Sequence, residues 1–324
     1  MLYLKNFEFL TEETEQRMLA LERRLCFDQF YPMGIFPAKG MKRIEFDDVT
    51  IFYGGNGSGK STALNIIAAK LKLLREIPFK PSEFFDWYVD GASRYDHLHE
   101  KNIHVDGVNY NLEDEDDWKS VPPESRILTS EDVFDKTLTI RGRNREIDRQ
   151  RALVSKKWWA YNVKGEHINY TAMEGPEHDA WKSQHSMAGK CMSSVIKKEV
   201  GFNIKTGSNG ENAFEFFMEK IQGNALYLLD EPENSMSANW QMRLTTYIEG
   251  MARFEGCQFV IATHSPFLLG IKGAKIYDLD KVGVPVRKWT ELESVREYFD
   301  FFRSRACEFE EKGRSKGRNE DKED

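Results

Sequence analysis

The chain has 324 residues, of which 40% are hydrophobic and 13% aromatic, and its net charge is −7; this excludes a chain disordered throughout and allows one large domain or two of about 150 residues. No apolar run approaches the roughly 20 residues of a membrane span, the opening residues lack the layout of a signal peptide, and the four cysteines form no CxxC pair. The composition therefore excludes a secreted disulfide scaffold, a membrane-spanning protein and a small zinc-stapled fold, and it predicts a cytoplasmic protein with reduced thiols.

The first part of the chain predicts the order strand, helix, strand, turn, helix. Residues 1–9 alternate in polarity like a strand, and 11–26 have the spacing of an amphipathic helix. A second strand-like stretch, RIEFDDVTIFYG, leads into a glycine cluster that begins at Gly54. The apolar segment after Lys60 has helical spacing and stops before Pro78, so we expect a helix there.

The middle of the chain, residues 77–200, is richer in aromatic, charged and turn residues. Alternation around 105–108 predicts a hairpin with a tight Asp-Gly turn. The acidic run at 113–117 is interpreted as a solvated loop. Helical spacing predicts helices over 131–165 and around 176–198.

Regular alternation of strands and helices returns after residue 201. The short apolar run 225–229 is typical of a buried parallel strand. Further predicted elements are strands at 257–262, 274–279 and 285–289 and helices at 238–254 and 291–310.

We therefore expect an α/β fold whose core is divided along the chain. The core consists of residues 1–76 and 201–311, and the insertion over 77–200 forms a mostly helical lobe. Residues 312–324 contain no apolar side chain and are expected to form a disordered tail.

A phosphate-binding loop lies between the second predicted strand and its helix. Gly54 to Ser61 read GGNGSGKS, which fits G-x-x-x-x-G-K-[ST]. Glycines let successive N–H groups point at phosphate oxygens, and the following helix adds its positive end. Lys60 is expected to reach the β- and γ-phosphates, and Ser61 to bind Mg²⁺. The other residues expected to contact the phosphates are Asn56, Gly57, Ser58, Gly59 and Thr62. An accidental glycine-rich turn is disfavoured by the position between a strand and a helix.

Two acidic residues follow a buried strand further along the chain. Asp230 and Glu231 come directly after the apolar run 225–229, at the strand end where ligands of open α/β sheets bind. Asp230 is expected to hold magnesium together with Ser61, and Glu231 to polarise the attacking water as a catalytic residue beside Lys60. The alternative is a chance acidic turn.

His264 ends the next buried strand, in the sequence Ala262-Thr263-His264-Ser265-Pro266. A lone histidine is usually a hydrogen-bonded structural residue. Because this strand is predicted to lie beside the strand of Asp230, we interpret His264 as a sensor of the γ-phosphate.

Taken together, these motifs resemble the ATP-binding-cassette (ABC-type) ATPases, especially the branch of the chromosome-maintenance and break-repair ATPases. GGNGSGKST is similar to their Walker A motif, LYLLDEPE (226–233) to Walker B with its catalytic glutamate, and THSP (263–266) to the switch-histidine motif. The chain also resembles small standalone bacterial cassettes called "AAA family ATPase". Relatives of those cassettes occur in DNA repair and phage defence.

The resemblance implies a signature segment about 20 residues before the Walker B aspartate. Gly207-Ser208-Asn209-Gly210-Glu211 lies there, with Gly207 in place of a leucine and Asn209 in place of a glycine. In the family this segment caps the γ-phosphate held by a second subunit, which implies that Ser208 and Gly210 act across an ATP-dependent homodimer. The alternative is an Asn-Gly turn before a helix at Ala213.

Two further features of the family are placed only as candidates. Residues 234–237 resemble the D-loop, and residues 129–132 are a candidate for the turn that carries the coupling glutamine. The aromatic residue that contacts adenine is expected to be Phe30, Tyr31 or Phe36, and their positions in the sequence do not distinguish among them.

A basic stretch lies within the insertion. Residues 135–157 carry a net charge of +5 in an otherwise acidic protein, and Trp158, Trp159 and Tyr161 follow directly. Basic residues beside aromatics suit a nucleic acid, and they suit an acidic protein partner equally well. A solvated helical face is the favoured alternative. The basic residues are Lys136, Arg141, Arg143, Arg145, Arg149, Arg151, Lys156 and Lys157.

The expected function is the binding and hydrolysis of ATP with Mg²⁺, coupled to a head-to-tail homodimer that drives or gates a protein partner bound to the insertion. One alternative is an ATP-gated clamp or scaffold for a partner nuclease or toxin, with negligible turnover of its own. A cassette of a membrane transporter is disfavoured by the long insertion, and a nuclease by the lack of a further acidic metal cluster after the core.

Overall fold

The structure is a computed structural model that describes residues 2–22, 30–79, 82–91, 94–96, 102–105, 108–111, 121–166, 176–205 and 207–309. The chain divides into two compact units. The first consists of Met1–Asp132 and Ala213–Asp324, and the second of Val133–Asn212. The expected insertion, 77–200, has different limits because residues 126–129 form a strand of the main sheet in the first unit. The acidic run 113–117 and the tail 312–324 lie outside the described residues.

The described strands fall into three sheets. In chain order they are β1 (Asn6–Glu8), β2 (Arg43–Glu45), β3 (Val49–Tyr53), β4 (Arg94–Asp96), β5 (Asn102–Val105), β6 (Val108–Asn111), β7 (Arg126–Thr129), β8 (Leu226–Asp230), β9 (Gln258–Thr263), β10 (Lys275–Asp278) and β11 (Val286–Arg287).

The described helices are found in both units, and the described residues of the second unit are mainly helical. They are α1 (Glu12–Leu21), α2 (Ile35–Ala38), α3 (Lys60–Lys70), α4 (Glu83–Gly91), α5 (Ser130–Asn162), α6 (Pro176–Ser186), α7 (Met192–Glu199), α8 (Asn209–Lys220), α9 (Ala238–Phe254), α10 (Pro266–Leu269) and α11 (Glu293–Ser304), with a 3-10 turn at Trp289–Glu291. Among the residues described, no helix has the length and hydropathy needed to cross a bilayer.

The main sheet has the strand order β11-β10-β3-β9-β8-β7. Strands β10, β3, β9, β8 and β7 are parallel, and β11 is antiparallel to its neighbour. The strand that precedes the glycine loop, β3, is thus separated by β9 from the strand that ends at Asp230. The prediction that the His264 strand lies beside the Asp230 strand is confirmed.

The main sheet and α3 form the core of the first unit. Strands β8 and β9 are buried along nearly their whole length, as the continuous apolar runs predict. Helix α3 is apolar on several sides, because it packs against strands of the sheet and also against α4. Its side chains Leu64, Ile66 and Ile67 are fully buried, and each contributes about 1.5–3 kcal/mol to the free energy of unfolding. This packing fixes the glycine loop at both of its ends.

Two smaller sheets lie outside the main sheet. Strands β2, β1 and β4 form an antiparallel sheet, and β5 pairs with β6 as the predicted hairpin. Val105 pairs with Val108 in that hairpin, while its two turn residues lie outside the described part of the chain. By the division into units the hairpin falls within the first unit and not within the helical lobe.

Most predicted elements are found, with shorter limits at several ends. The helix predicted over 238–254 has those limits in the structure, and the helix over 131–165 is found as α5. Strand β11 has two residues where five were predicted, because a 3-10 turn begins at Trp289. Strand β7 lies in a segment where no strand was predicted.

Candidate functional site

The glycine loop has the backbone that its sequence predicts. It connects the end of β3 at Tyr53 to the start of α3 at Lys60. Gly57 and Gly59 have φ values of +78° and +89°, a region that favours glycine. A Cβ on Gly54 would lie 2.6 Å from the hydroxyl oxygen of Ser58. The loop therefore needs glycine at these three positions for its tight curl.

The remaining predicted phosphate contacts lie along this loop and the first turn of α3. Asn56 and Ser61 are exposed, whereas Ser58 and Thr62 are buried. The exposed side chains of Asn56 and Ser61 are thus accessible to a ligand.

Lys60 is held inside the curl of the loop. Its side chain is 4% exposed, and its ammonium donates to the carbonyl oxygens of Gly54 at 2.8 Å and Gly55 at 3.0 Å. The same ammonium lies 3.9 Å from Oε1 of Glu231. A positive charge is thus fixed at the centre of a ring of backbone groups, as phosphate binding requires.

Ser61 and Asp230 meet at the predicted metal site. The Ser61 hydroxyl donates to Oδ1 of Asp230 at 2.9 Å. Burial raises the pKa of Asp230 to about 6, the neighbouring Glu231 adds to the increase, and the hydrogen bond from Ser61 opposes it. A hydroxyl and a carboxylate are oxygen ligands of the kind that Mg²⁺ takes. Burial and the neighbouring acid outweigh the opposing effect of the Lys60 charge on the pKa of Asp230, so these residues fit a bound cation.

Glu231 lies between Lys60 and His264. It adopts φ +46°, and its backbone N–H donates to the carbonyl of Ala262 on β9 at 2.9 Å. Its Oε1 atom is 3.9 Å from both the Lys60 ammonium and Nδ1 of His264, and its Oε2 accepts a hydrogen bond from Asn234 at 3.1 Å. The three residues predicted to be catalytic are therefore brought together.

Glu233 organises the His264 segment, a role that the sequence analysis missed. Its Oε1 accepts hydrogen bonds from the Thr263 hydroxyl at 2.5 Å and the His264 backbone N–H at 3.1 Å. The His264 imidazole itself is half exposed, with Nδ1 3.6 Å from the same oxygen. The segment that carries the histidine is thus fastened to the strand end that carries Asp230.

A cavity of about 460 Å³ adjoins the metal site. Its walls include Ser61, Asp230 and Glu231, together with the turn at 129–132 that follows β7. Thr129 pairs with Asp230 in the sheet, and Asp132 accepts hydrogen bonds from the backbone and hydroxyl of Thr129 at 2.7 and 2.9 Å. The candidate coupling turn therefore lies beside the metal site, although it carries no glutamine.

Arg75 is a cation on the wall of this cavity that the sequence analysis also missed. Its guanidinium donates to Oδ1 of Asn65 at 2.6 Å and lies 4.9 Å above the ring of Phe79. Burial lowers the pKa of Arg75, and the carboxylates of Asp132 and Asp230 oppose that decrease. It adds a second positive charge to the metal-binding end of the site.

The three aromatic residues that are candidates for contact with adenine differ in their burial and contacts. Phe36 is fully buried, and Phe30 packs edge-on against Phe84 at 5.0 Å between ring centroids. Tyr31 is 37% exposed, and its hydroxyl donates to the Thr62 hydroxyl at 3.1 Å. Tyr31 is thus the candidate that lies against the phosphate-binding segment.

Asp280 makes a contact with the glycine loop that the sequence did not indicate. Both of its carboxylate oxygens accept a hydrogen bond from the backbone N–H of Gly55, at 2.9 and 3.1 Å. Asp280 follows β10, so this contact holds the start of the loop to the neighbouring strand.

The signature candidate lies in the second unit, at the beginning of α8. The Ser208 hydroxyl accepts from the N–H of Glu211 at 3.3 Å, and the Glu211 carboxylate accepts from the N–H of Ser208 at 3.3 Å. This reciprocal pair is a capping box. The helix begins at Asn209 and not at Ala213, which disfavours the simple turn. Oδ1 of Asn209 accepts from Arg141 at 3.0 Å, so the residue that departs from the family pattern is held within its own unit.

The basic stretch runs along α5 in the second unit. Arg151 donates to the carbonyl of Gly201 at 2.8 Å and pairs with Asp148 at 3.4 Å. Other members are exposed, namely Arg141, Arg143, Arg145, Arg149, Lys156 and Lys157. These six side chains are thus accessible to solvent along α5.

A comparison with family models finds a match over part of the chain. Residues 212–270 match a family model described as "AAA domain, putative AbiEii toxin, Type IV TA system". This span includes Asp230, Glu231 and His264. A comparison with curated proteins finds no match. The chain is an α/β protein with a mainly parallel main sheet, and part of it matches this AAA-domain model.

Several solved structures are similar to this chain. A dimeric ATP-binding cassette in a post-hydrolysis state bound to ADP and Pi is 14% identical, with a TM-score of 0.34, over 77% of this chain and 90% of that one. The SMC head domain from Thermotoga maritima is 13% identical, with a TM-score of 0.33, over 85% and 94%. An Smc head domain bound to the C-terminal domain of ScpA, derived from Pyrococcus furiosus, is 14% identical, with a TM-score of 0.38, over 94% and 100%.

Proposed function

We propose that this chain binds ATP together with Mg²⁺ and hydrolyses it to ADP and phosphate. The observation that carries the proposal is the convergence of Lys60, Ser61, Asp230, Glu231 and His264 at the carboxyl ends of three adjacent parallel strands. Ligands of open α/β sheets bind at such an edge. Each of these residues has a separate role in phosphoryl transfer.

The phosphate groups are bound by the glycine loop and by Lys60. The N–H groups of the loop and of the first turn of α3 donate to phosphate oxygens. The Lys60 ammonium exchanges its hydrogen bonds to the carbonyls of Gly54 and Gly55 for bonds to the β- and γ-phosphates. Ser61 and Asp230 would hold Mg²⁺, which supplies positive charge against the charge that develops on the phosphates.

Glu231 orients the attacking water by accepting its proton in a hydrogen bond. Asn234 donates to the other oxygen of this carboxylate at 3.1 Å, which fixes its orientation. Nδ1 of His264 lies 3.9 Å from Oε1 of Glu231, and the backbone N–H of His264 donates to Glu233. Its imidazole is half exposed and free to contact the γ-phosphate or the water.

Homodimer formation completes the proposed cycle. Ser208 and Gly210 lie at the N-terminal end of α8, where backbone N–H groups favour an anion. In the head-to-tail dimer they cap the γ-phosphate held by the other copy. ATP binding thus brings two surfaces together, and hydrolysis releases them to drive or gate a protein partner at the helical unit. Nucleic acid binding through 136–157 and a role in DNA repair or phage defence are further parts of the proposal.

The deciding experiment is light scattering of the Glu231→Gln variant with and without Mg-ATP. Glutamine keeps the size of the side chain but no longer accepts the proton of water, so the ATP-bound state accumulates. We expect the molar mass to double on addition of Mg-ATP. The Lys60→Ala, Glu231→Gln double variant is the control, and it should stay at the mass of the nucleotide-free protein.

Hydrolysis by the wild type is measured in parallel as phosphate release. If the molar mass doubles with ATP but phosphate release is negligible, the result would favour the alternative function, an ATP-gated clamp or scaffold for a partner nuclease or toxin. No binding of ATP to the wild type would overturn the proposal altogether.

A further inference from the structure

Helix α5 is fastened to the rest of the second unit along one side. Asn144 accepts from the backbone N–H of Ile204 at 2.8 Å and donates to its carbonyl at 2.9 Å. Further along the helix, Arg151 and Trp158 donate to backbone carbonyls of the same unit, each at 2.8 Å. Each of these side chains follows the previous one after about two helical turns, so together they mark the packed side of α5.

A second side of α5 carries a line of cations. Arg141, Arg145, Arg149 and Lys156 are exposed, and they lie within about 80° of one another around the helix axis and extend over about 22 Å. Trp159 continues this line and is 52% exposed. The line lies about 120° around the axis from the packed side. We call this set of residues the basic face of α5.

The charges of the basic face are largely uncompensated. A helix face that is only solvated usually mixes both signs of charge, with opposite charges placed to pair along the helix. Arg149 has one exposed acidic partner, Glu146 at 3.8 Å. Arg145 and Lys156 have neither an ion pair nor a hydrogen bond in the part of the chain that the structure describes. Because like charges one turn apart destabilise a helix, the basic face is better explained by an external anion than by solvation alone.

The spacing of the cations indicates an anion with repeated charges. Arg141, Arg145 and Arg149 follow one another at intervals of about 6 Å along the helix, so each can contact a different charged group of a polymer. The guanidinium of arginine presents a planar fork of donors that matches the oxygens of a phosphate. The phosphates of a nucleic acid strand form such a row of charges.

The exposed indole of Trp159 indicates that the bases of this polymer are accessible. The neighbouring Trp158 donates its indole N–H to the carbonyl of Lys190 at 2.8 Å and belongs to the packed side. Trp159 instead offers a flat ring on which a nucleobase can stack, as the aromatic residues of single-strand-binding proteins do. In a duplex the bases are stacked on one another. An acidic peptide supplies charges but no bases.

We propose that the basic face of α5 binds single-stranded nucleic acid, with Arg145, Arg149 and Lys156 on phosphates and Trp159 on a base. These four side chains contain donors and no acceptor, so they do not recognise the additional hydroxyl of ribose, and DNA and RNA bind alike. This assignment rests on the proposed function only where that function places nucleic acid at residues 136–157. It does not depend on ATP hydrolysis.

The experiment is a fluorescence-anisotropy titration of the full chain, free of nucleotide, with a labelled oligothymidylate of about 16 nucleotides. We expect saturable binding that weakens with salt, with a logarithmic slope of about 0.7 for each phosphate contacted. The duplex with oligoadenylate should bind at least about tenfold more weakly, because its bases cannot stack on Trp159. Equal or tighter binding of the duplex would overturn the proposal.

Two further probes test the chemistry of the ligand. Oligouridylate of the same length should bind about as tightly as oligothymidylate, and a preference of more than about tenfold for either sugar would overturn the proposal. Poly-glutamate supplies the charges without the bases. If it displaces oligothymidylate at an equal concentration of charge, the basic face belongs to an acidic protein partner and the proposal is wrong.

Variants locate the oligonucleotide on the basic face. The double variant Arg145→Gln, Lys156→Gln should weaken binding about tenfold or more and reduce the salt slope by about 1.4. The matched control is Arg143→Gln, Lys157→Gln, which removes the same charges from exposed positions of α5 outside the basic face. Trp159→Ala should weaken binding about tenfold with the salt slope unchanged, and Trp159→Phe should retain most of the affinity. Equal effects of the two double variants would overturn the proposal.

Phosphate release from ATP is measured on the same wild-type preparation. Binding of oligothymidylate by a chain that releases no phosphate would support the nucleic acid site and count against the proposed ATPase. A chain that hydrolyses ATP but does not bind oligothymidylate would overturn the nucleic acid site alone.

Discussion

The hydroxyl of Ser61 donates a hydrogen bond to the carboxylate of Asp230 across 2.9 Å, although 169 residues separate the two along the chain. The bond joins the first turn of α3 to the end of β8. The two side chains proposed to bind Mg²⁺ are thus already adjacent without the ion, so little reorganisation opposes metal binding. The arrangement leaves Asp230 buried beside Glu231, which raises the pKa of Asp230.

The first prediction concerns the stability of the metal-free and nucleotide-free protein. The pKa of Asp230 is raised from 3.8 to about 6, so between these values the folded state holds a proton that the unfolded state releases. The free energy of unfolding therefore falls as pH rises from about 4 to about 6, and above that range the ionised Asp230 costs up to about 3 kcal/mol. Asp230→Asn should raise the midpoint of urea unfolding near neutral pH.

The advantage of Asp230→Asn should vanish at about pH 3, below the pKa of Asp230 in both states, where the carboxyl is protonated whether the chain is folded or unfolded. Addition of Mg-ATP should stabilise the wild type but not the variant. A variant that is less stable than the wild type near neutral pH would contradict this account of Asp230.

The second prediction concerns Tyr31. If its ring contacts the adenine, Tyr31→Ala should weaken ATP binding about tenfold, because stacking on a base contributes about 1–3 kcal/mol. Tyr31→Phe keeps the ring and loses only the hydrogen bond to Thr62, so affinity should change less than about threefold. Binding is measured by calorimetric titration in the Glu231→Gln background. If the two substitutions weaken ATP binding equally, the hydroxyl of Tyr31 and not its ring determines the affinity for ATP.

The third prediction concerns Thr263, whose hydroxyl donates to Glu233. Thr263→Val keeps the shape of the side chain but leaves the carboxylate with one donor fewer. We expect a loss of about 1–3 kcal/mol in the free energy of unfolding and a decrease in the rate of phosphate release, because His264 is held less firmly. Thr263→Ser retains the hydroxyl donor, so its free energy of unfolding and its rate of phosphate release should both be close to those of the wild type. Unchanged phosphate release in Thr263→Val would mean that this contact does not position His264.

The fourth prediction separates two roles of Ser208. As an N-cap it stabilises α8, so Ser208→Ala should lower the free energy of unfolding by about 1 kcal/mol. Ser208→Asp keeps a capping acceptor and should retain that stability, but it introduces a negative charge where the dimer would bring the γ-phosphate. In the Glu231→Gln background, Ser208→Asp should therefore abolish the ATP-dependent doubling of mass. If the molar mass of this variant still doubles with ATP, Ser208 acts only as the N-cap of α8.

The parts of the site that the sequence predicted are those with a local pattern. The glycine loop stands between a strand and a helix, and Asp230 and His264 each end a continuous apolar run. Parallel strands bring such ends to one edge. Hence Lys60, Glu231 and His264 were expected to meet, and their separations of 3.9 Å follow from the strand order.

The parts that were missed depend on contacts between distant segments. Strand β7 has only four residues, with Ile127 and Leu128 buried, and the pairing with β8 that defines it has no local signature. Glu233 acts through Thr263 and His264, which reach it only because β8 and β9 are neighbours. The second unit begins at Val133, whereas the insertion was predicted to begin at residue 77. The difference arises because β7 belongs to the main sheet and α5 follows it directly.

The register of the parallel strands sets how the chain can change in length. Tyr53 pairs with Thr263, and Asp230 pairs with Ala262, so the site residues stand at matched heights along β3, β8 and β9. One residue inserted into β9 would move His264 by about 3.3 Å and turn alternate side chains to the opposite face. That displacement is as large as the separations within the site. The connection between β7 and β8, by contrast, already accommodates Val133–Asn212. Insertions are therefore expected to be tolerated in the connection between β7 and β8 and to inactivate the protein within β9.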